Sequence, residues 1–244
     1  MKFSKYIPNF LTSINLLLGV CGAYLAFWGR PDLTVICILL AAMFDFLDGF
    51  AARLLDAYSD IGKDLDSFAD LISFGLAPAA VFSSLLHYSL TGAWTGEFWN
   101  LYFSDRVLLL IPFIITLFSA LRLAKFNNDT TQTENFKGLT TTATGMFSVS
   151  YVYMTYTDNY CPAILINPLF IIFLIILFSY LLVSEMPMFS LKFKNFGWRG
   201  NGHRYFLVAV SIAALIFTGL GAFMIIIPFY VVFSILLSFR LFEK

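Results

Sequence analysis

The sequence predicts an all-α integral membrane protein with about eight transmembrane helices. Three observations carry that prediction. Hydrophobic residues make up 59% of the chain against 12% charged, with 29 phenylalanines, a balance outside the range of soluble globular domains. Apolar runs of the roughly 20 residues needed to cross a bilayer recur along the whole length. Lysine and arginine collect in alternate connections between those runs.

Taken in order, the runs fall near residues 10–28, 33–53, 66–88, 106–125, 140–159, 163–184, 205–222 and 224–241. The first is long enough to span and lacks a small-residue cleavage site, so it reads as a helix and not as a leader. The fifth is weakest, because Thr, Ser and Tyr dilute it. The seventh and eighth are separated only by a turn around Gly219 to Ala222, which leaves one long kinked helix as an alternative. With eight spans, Arg30 and Arg106 lie on one side. The other side holds Lys2, Lys5, Arg53, Lys63, Arg122, Lys125, Lys137, Lys192, Lys194, Arg199, Arg204, Arg240 and Lys244. Both termini are therefore expected in the cytoplasm of a multi-pass inner-membrane protein, with 1–244 forming a single polytopic domain.

The formal charge balances to zero, so the total gives no ground for a nucleic-acid or strongly acidic partner, and no nucleic-acid partner is expected. The basic and aromatic residues at 185–204 read as a cytoplasmic loop resting on membrane lipids. Cys21, Cys37 and Cys161 are scattered and read as small buried hydrophobes. His87 and His203 lack a partner at zinc-ligand spacing.

Against this apolar background, four aspartates stand on a grid at 45–70. A helix turning 100° per residue puts Asp45, Asp48, Gly49 and Ala52 on one face and Gly62, Asp66 and Asp70 on one face of the next span. Carboxylates at the edge of a hydrocarbon layer are costly unless paired, hydrated or bound to cations. Arg53 and Lys63 are too few to neutralise them together with Asp56, Asp60 and Asp64. Oxygen-only ligands suit hard divalent cations such as magnesium or manganese. Gly49 and Ala52 leave room against the backbone, and Arg53 can reach phosphate, with Ser59 following. Clustered metals, an arginine and a small-residue floor describe a pyrophosphate site.

The run D-F-L-D-G-F-A-A-R, eight residues, then G-K-D-L-D-S-F-A-D reproduces D-x2-D-G-x2-A-R-x8-G-x3-D-x3-D without a departure. It resembles the signature of the CDP-alcohol phosphatidyltransferases, integral membrane enzymes that join an alcohol to a phosphate from a CDP-linked donor. Further text is similar to the bacterial phosphatidylserine synthase branch: Pro8-Asn9 with Thr12, S-F-G-L-A-P-A from Ser73, L-R-L-A-K-F-N from Leu121 and L-L-V-S from Leu181. One departure is G-L-T-T-T-A from Gly138, where that branch shows G-L-P-x-P-A.

The resemblance implies a six-helix catalytic core, a homodimer, and two divalent cations, Mg2+ or Mn2+, on Asp45, Asp48, Asp66 and Asp70. Asp70 is implied as general base also. Gly49, Ala52, Arg53, Ser59 and Gly62 would hold the CDP-diacylglycerol headgroup, helped by Asn9 and Thr12. L-serine would be the acceptor, and its carboxylate calls for a cation, for which Arg122 and Lys125 are candidates. Two other readings stay open: the same reaction with inositol phosphate, glycerol phosphate or another alcohol, and a divalent cation transporter.

Overall fold

The structure is a computed structural model that describes residues 6–128, 136–157, 162–189, 197 and 201–242. It is a helical membrane bundle. Among the described residues five stretches, Tyr6–Phe27, Pro31–Leu54, Asp60–Thr91, Phe103–Asn128 and Gly202–Leu237, are long and apolar enough to cross a membrane.

Helices α1 (Tyr6–Phe27) and α2 (Pro31–Leu54) pack side by side. The inward face of α1 carries Pro8, Thr12, Asn15, Gly19, Gly22, Ala23 and Ala26, all buried. Small residues at helical spacing let two backbones approach where lipid offers no hydrophobic drive to association. Its outward face holds Phe10, Leu17, Tyr24 and Phe27, all exposed as lipid contact requires. Gly29, at φ 64°, makes the turn between the helices. Arg30 at the start of α2 forks onto Asp32, with Nε donating to Oδ1 at 3.0 Å and Nη2 to Oδ2 at 2.8 Å.

The third span is continuous from α3 (Asp60–Leu71) through a wide turn, Ile72–Leu76, to α4 (Ala77–Thr91). At the wide turn the Ala77 N–H donates to the Ile72 carbonyl, five residues back. Pro78 explains it: with no N–H, and a ring that crowds the carbonyl four residues earlier, it forces the helix to widen just before it. Neighbours fill the widened turn. Ser73 Oγ donates to the Asn15 carbonyl at 2.9 Å, and Thr116 Oγ1 donates to the Gly75 carbonyl at 3.2 Å. Gly92, at φ 77°, ends α4.

Helix α5 (Phe103–Leu110) continues through a 3-10 turn into α6 (Ile114–Asn128). Helix α7 (Thr141–Thr157) occupies the middle of the bundle, packed on α2, α4, the wide turn and the last helix. The weakest span in the sequence is thus the central one. Three of its hydroxyls bond inside the protein: Ser148 Oγ to Thr144 O at 2.7 Å, Ser150 Oγ to Leu220 O at 2.7 Å, and Tyr151 OH to Leu165 O at 2.7 Å.

A short helix α8 (Ala163–Ile166) leads to α9 (Pro168–Val183), capped by the Asn167 side chain, whose Oδ1 accepts from Leu169 N at 2.9 Å. An antiparallel pair, β1 (Phe136–Lys137) with β2 (Pro187–Met188), ties the entry of α7 to the exit of α9. Gly138 sits there at φ 73°, where a side chain would meet the carbonyl oxygens of Ser184, Leu181 and Leu182 at 2.7–2.9 Å. In the G-L-T-T-T-A departure, Thr140 Oγ1 accepts from Ala143 N at 3.2 Å. The threonine thereby caps α7, a different means of starting a helix than proline's fixed φ.

Helices α10 (Gly202–Thr218) and α11 (Phe223–Phe242) are separate spans, not one long helix. Phe206 lies 6.0 Å from Phe229 and 5.6 Å from Phe233 between ring centroids. On a straight helix those partners would be about 35–40 Å away. Gly219, at φ 54°, turns the chain back. Half of the basic-aromatic stretch 185–204 lies outside the described residues, as do Lys2, Lys5 and Cys161.

A Cβ at Gly19 would come within 2.3 Å of Ser73 Oγ and 2.7 Å of Ser73 Cα. Gly19→Ala is therefore expected to destabilise the detergent-solubilised protein by about 1–3 kcal/mol, read as a lower melting temperature. Gly202→Ala, whose Cβ meets nothing within 4 Å, should melt as the native chain does.

Candidate active site

The four aspartates arise from two helices joined by a tight loop. Asp56 turns the chain at φ 47°, and Ser59 then caps α3, its Oγ accepting from Gly62 N at 3.1 Å. Asp66 and Asp70 follow about two and three turns into α3, where they face Asp45 and Asp48 near the end of α2.

Asp45, Asp48 and Asp66 each offer a carboxylate oxygen within 4.8 Å of one another. Asp70 lies against Asp45, with Asp66 and Arg122 within electrostatic reach, and its Oδ1 is buried without a hydrogen-bond partner. Thr12 Oγ1 lies 2.6 Å from Asp48 Oδ2, to which it donates, and 3.0 Å from the Pro8 carbonyl. Arg53 and Lys63 are exposed. The ion pairs among the described residues, Arg30 with Asp32 and Lys125 with Glu185, leave the cluster without a cationic side-chain partner. Three converging carboxylates and an orphaned carboxylate oxygen fit a hard divalent cation, and oxygen-only donors suit no softer metal as well.

Next to the cluster, a cavity of about 310 Å³ is lined by Asn9, Thr12, Asp48, Gly49, Ala52, Arg53, Ser59, Gly62 and Asp66. All seven residues expected to hold the donor headgroup share this one cavity. Pro8, Ala57, Tyr58 and Lys63 line it too. Tyr58 and Lys63 were not expected as site residues, because the signature leaves unspecified the eight positions between Arg53 and Gly62 and the three between Gly62 and Asp66. The two glycines have different reasons to be there. A Cβ on Gly62 would press on Asn9 Oδ1 at 2.8 Å and Ser59 Oγ at 2.9 Å, whereas one on Gly49 would meet nothing within 4 Å. Gly62 is required by packing, and Gly49 keeps space clear.

The structure separates the two cationic acceptor candidates. Arg122 is buried, stacked 5.0 Å over the Phe126 ring and close to Asp70. Lys125 is exposed, and its Nζ donates to Glu185 Oε1 at 3.0 Å. One further residue at this level escaped the sequence reading. Asn15 is fully buried, and both its side-chain nitrogen and oxygen lack partners. It lies on the same face of α1 as Thr12, three residues on, so helical phase could have found it.

A membrane bundle whose clustered carboxylates floor a cavity rimmed by arginine and lysine is the arrangement of an enzyme handling a phosphate-bearing group at the bilayer edge. The family model for CDP-alcohol phosphatidyltransferase matches residues 5–236, and the chain belongs to that family. It is similar to a CDP-diacylglycerol--serine O-phosphatidyltransferase of Bacillus subtilis, 33% identical over 155 residues, 64% of this chain and 78% of the relative. The Helicobacter pylori protein of the same name is 27% identical over 233 residues, 94% of this chain and 89% of the relative. An archaetidylserine synthase of Methanothermobacter thermautotrophicus is 32% identical over 144 residues, 57% of this chain and 54% of the relative.

Crowding of like charges gives a test with two opposite signs. Without divalent cations, Asp66→Asn should melt above the native chain, because it removes one of the mutually repelling carboxylates. At manganese concentrations about 100 times the dissociation constant the native chain should gain about 2.7 kcal/mol and the order should invert.

Proposed function

We propose that the protein transfers a phosphatidyl group from CDP-diacylglycerol to the hydroxyl of L-serine, forming phosphatidylserine and releasing CMP. One observation carries the reading most: the cavity lined by all seven expected donor residues lies on one side of the carboxylate cluster, while Asp70 and Arg122 lie on its buried side. Donor and acceptor can therefore approach the same phosphorus from different directions. The names of the relatives support serine as the acceptor.

In this reading Arg53 and Lys63 hold the donor's phosphates, and Asn9, Thr12 and Tyr58 line the nucleotide side, with Gly49 and Ala52 giving the headgroup room. Two divalent cations, Mg2+ or Mn2+, held by Asp45, Asp48, Asp66 and Asp70, would supply charge stabilisation at the phosphoryl oxygens. Arg122 receives the serine carboxylate and sets the hydroxyl beside Asp70. Asp70 takes the hydroxyl proton as the serine oxygen bonds to the phosphorus bearing diacylglycerol, and the bond from that phosphorus to the CMP oxygen breaks. Holding a weak nucleophile against base and phosphorus supplies much of the acceleration.

We also infer an inner-membrane protein working as a homodimer, with the site and both termini cytoplasmic. The distribution of lysine and arginine supports that orientation. A lipid donor held in the bilayer and a water-soluble amino acid can both reach such a site.

Purified protein given CDP-diacylglycerol, manganese and a panel of acceptors should release CMP with serine. Release with glycerol phosphate or inositol phosphate alone would overturn the acceptor. Asp70→Asn should lower kcat by about 100- to 10,000-fold. Gly49→Leu should melt as the native chain does but raise KM for CDP-diacylglycerol, because it fills cavity and not core.

A further inference from the structure

Behind the carboxylate cluster, Asp45 and Asp70 are joined by polar groups that the family signature does not include. The packing contacts fix their level in the bundle. Thr12 meets Asp48 and Gly22 meets Ile38, so antiparallel α1 and α2 keep one register that sets Asn15 opposite Asp45. Gly62 meets Asn9 and Ser73 meets both Asn15 and Gly19, so α1 and α3 run in parallel with Asn15 beside the turn that holds Asp70. Asn127 donates to Ser67 and Thr116 to the Gly75 carbonyl, which places Arg122 on α6 at the height of Asp70. Gly145 touches Phe74, so Thr141, one turn earlier on α7, comes level with Asp70, one turn before Phe74. Five helices thus bring Asn15, Asp45, Asp70, Arg122 and Thr141 to one height.

Three of these residues carry polar atoms that are buried and unpaired. Asn15 and Thr141 are both 0% exposed, and Asn15 Oδ1, Asn15 Nδ2, Thr141 Oγ1 and Asp70 Oδ1 have no hydrogen-bond partner. Ser119 and Thr144, one turn deeper, are also fully buried and unpaired at their hydroxyls. Buried polar groups are almost always satisfied, and unsatisfied ones gathered at one place mark where a polar ligand belongs. Below them Phe74, fully buried, closes the floor.

We propose that Asn15 and Thr141 are positioning residues for the acceptor alcohol, and that this chamber is built for a small zwitterion. The proposal rests on the transfer reaction above and deepens it. Arg122 answers a carboxylate. The Asn15 amide and the Thr141 hydroxyl can accept from an ammonium group or donate to the hydroxyl oxygen, holding it toward Asp70. A neutral amide and hydroxyls around one guanidinium suit a molecule without net charge. A phosphorylated polyol would bring about two negative charges beside Asp45 and Asp70 with only that one guanidinium, among the described residues of the chamber, to meet them.

The test uses the full chain in detergent with CDP-diacylglycerol and manganese, scored by CMP release. Asn15→Ala and Thr141→Val should each raise KM for serine about tenfold or more. KM for CDP-diacylglycerol and the manganese-induced rise in melting temperature should stay at native values, and Thr141→Ser should restore the serine KM. Native serine KM in both variants overturns the proposal. A shift in manganese or CDP-diacylglycerol dependence overturns it too, by placing Asn15 at the metal or the donor. If Asn15→Ala does not fold, Thr141→Val with its Thr141→Ser rescue decides. A native chain that uses another alcohol overturns the serine reading instead, and the same variants are then read by KM for that alcohol.

Discussion

Three carboxylate oxygens within 4.8 Å of one another set the terms for the rest of the bundle. At an effective dielectric of about 20, each pair of full charges at that separation repels by about 3–4 kcal/mol. Among the described residues no cationic side chain forms an ion pair with these three acids. The surrounding helices must hold the acids together until a cation does so. The small-residue face of α1 lets it lie close to α2, the Ser59 cap starts α3 at the right phase, and the Thr12 hydroxyl holds Asp48. Each contact is modest, and together they fix four carboxyl groups from two helices.

The cluster also divides space. On one side lies an open, partly basic cavity with room beside Gly49 for a bulky headgroup. On the other, Asp70 stands level with the buried polar side chains of Asn15, Arg122 and Thr141. Beyond it the interior is filled by Phe74, Phe82, Leu85, Leu86, Ile115 and Tyr151, all essentially inaccessible. An ion path would need polar groups continuing through that layer. Chemistry between two substrates needs only that they meet at the acids.

Much of this was legible in the sequence, for physical reasons. Among the described residues each of the eight apolar runs is helical over most of its length, because a lipid-facing helix must be apolar along its length. The aspartates were recognisable because charge in such sequence is rare. Legibility failed where a residue's surroundings come from other helices. The hydropathy of 140–159 was low because α7 touches protein on nearly every side, and hydropathy measures contact with lipid. Arg122 and Lys125 look alike in sequence, three residues apart, yet one points inward and the other pairs with Glu185 from 60 residues away. Asn15 reads as one more polar residue in an apolar helix until its neighbours leave it without a partner. The 185–204 stretch remains a sequence expectation, since half of it, including Lys192, Lys194 and Arg199, lies outside the described residues.

The widened turn at Ile72–Leu76 has a mechanical meaning as well. It adds a residue to one turn, so everything after it is rotated by about 100° relative to a regular continuation. The inner half of that span carries Asp66 and Asp70. The outer half is anchored separately, by Ser83 Oγ donating to Leu109 O at 2.9 Å and by Ser84 donating to the Ala26 carbonyl. The turn therefore works as a phase coupling between two pieces of one helix, each seated against its own neighbours. Losing a single residue there would leave the acids where they are and misalign every contact beyond them. An insertion or deletion at this point would act on the chain as a gear slip, not as a local defect.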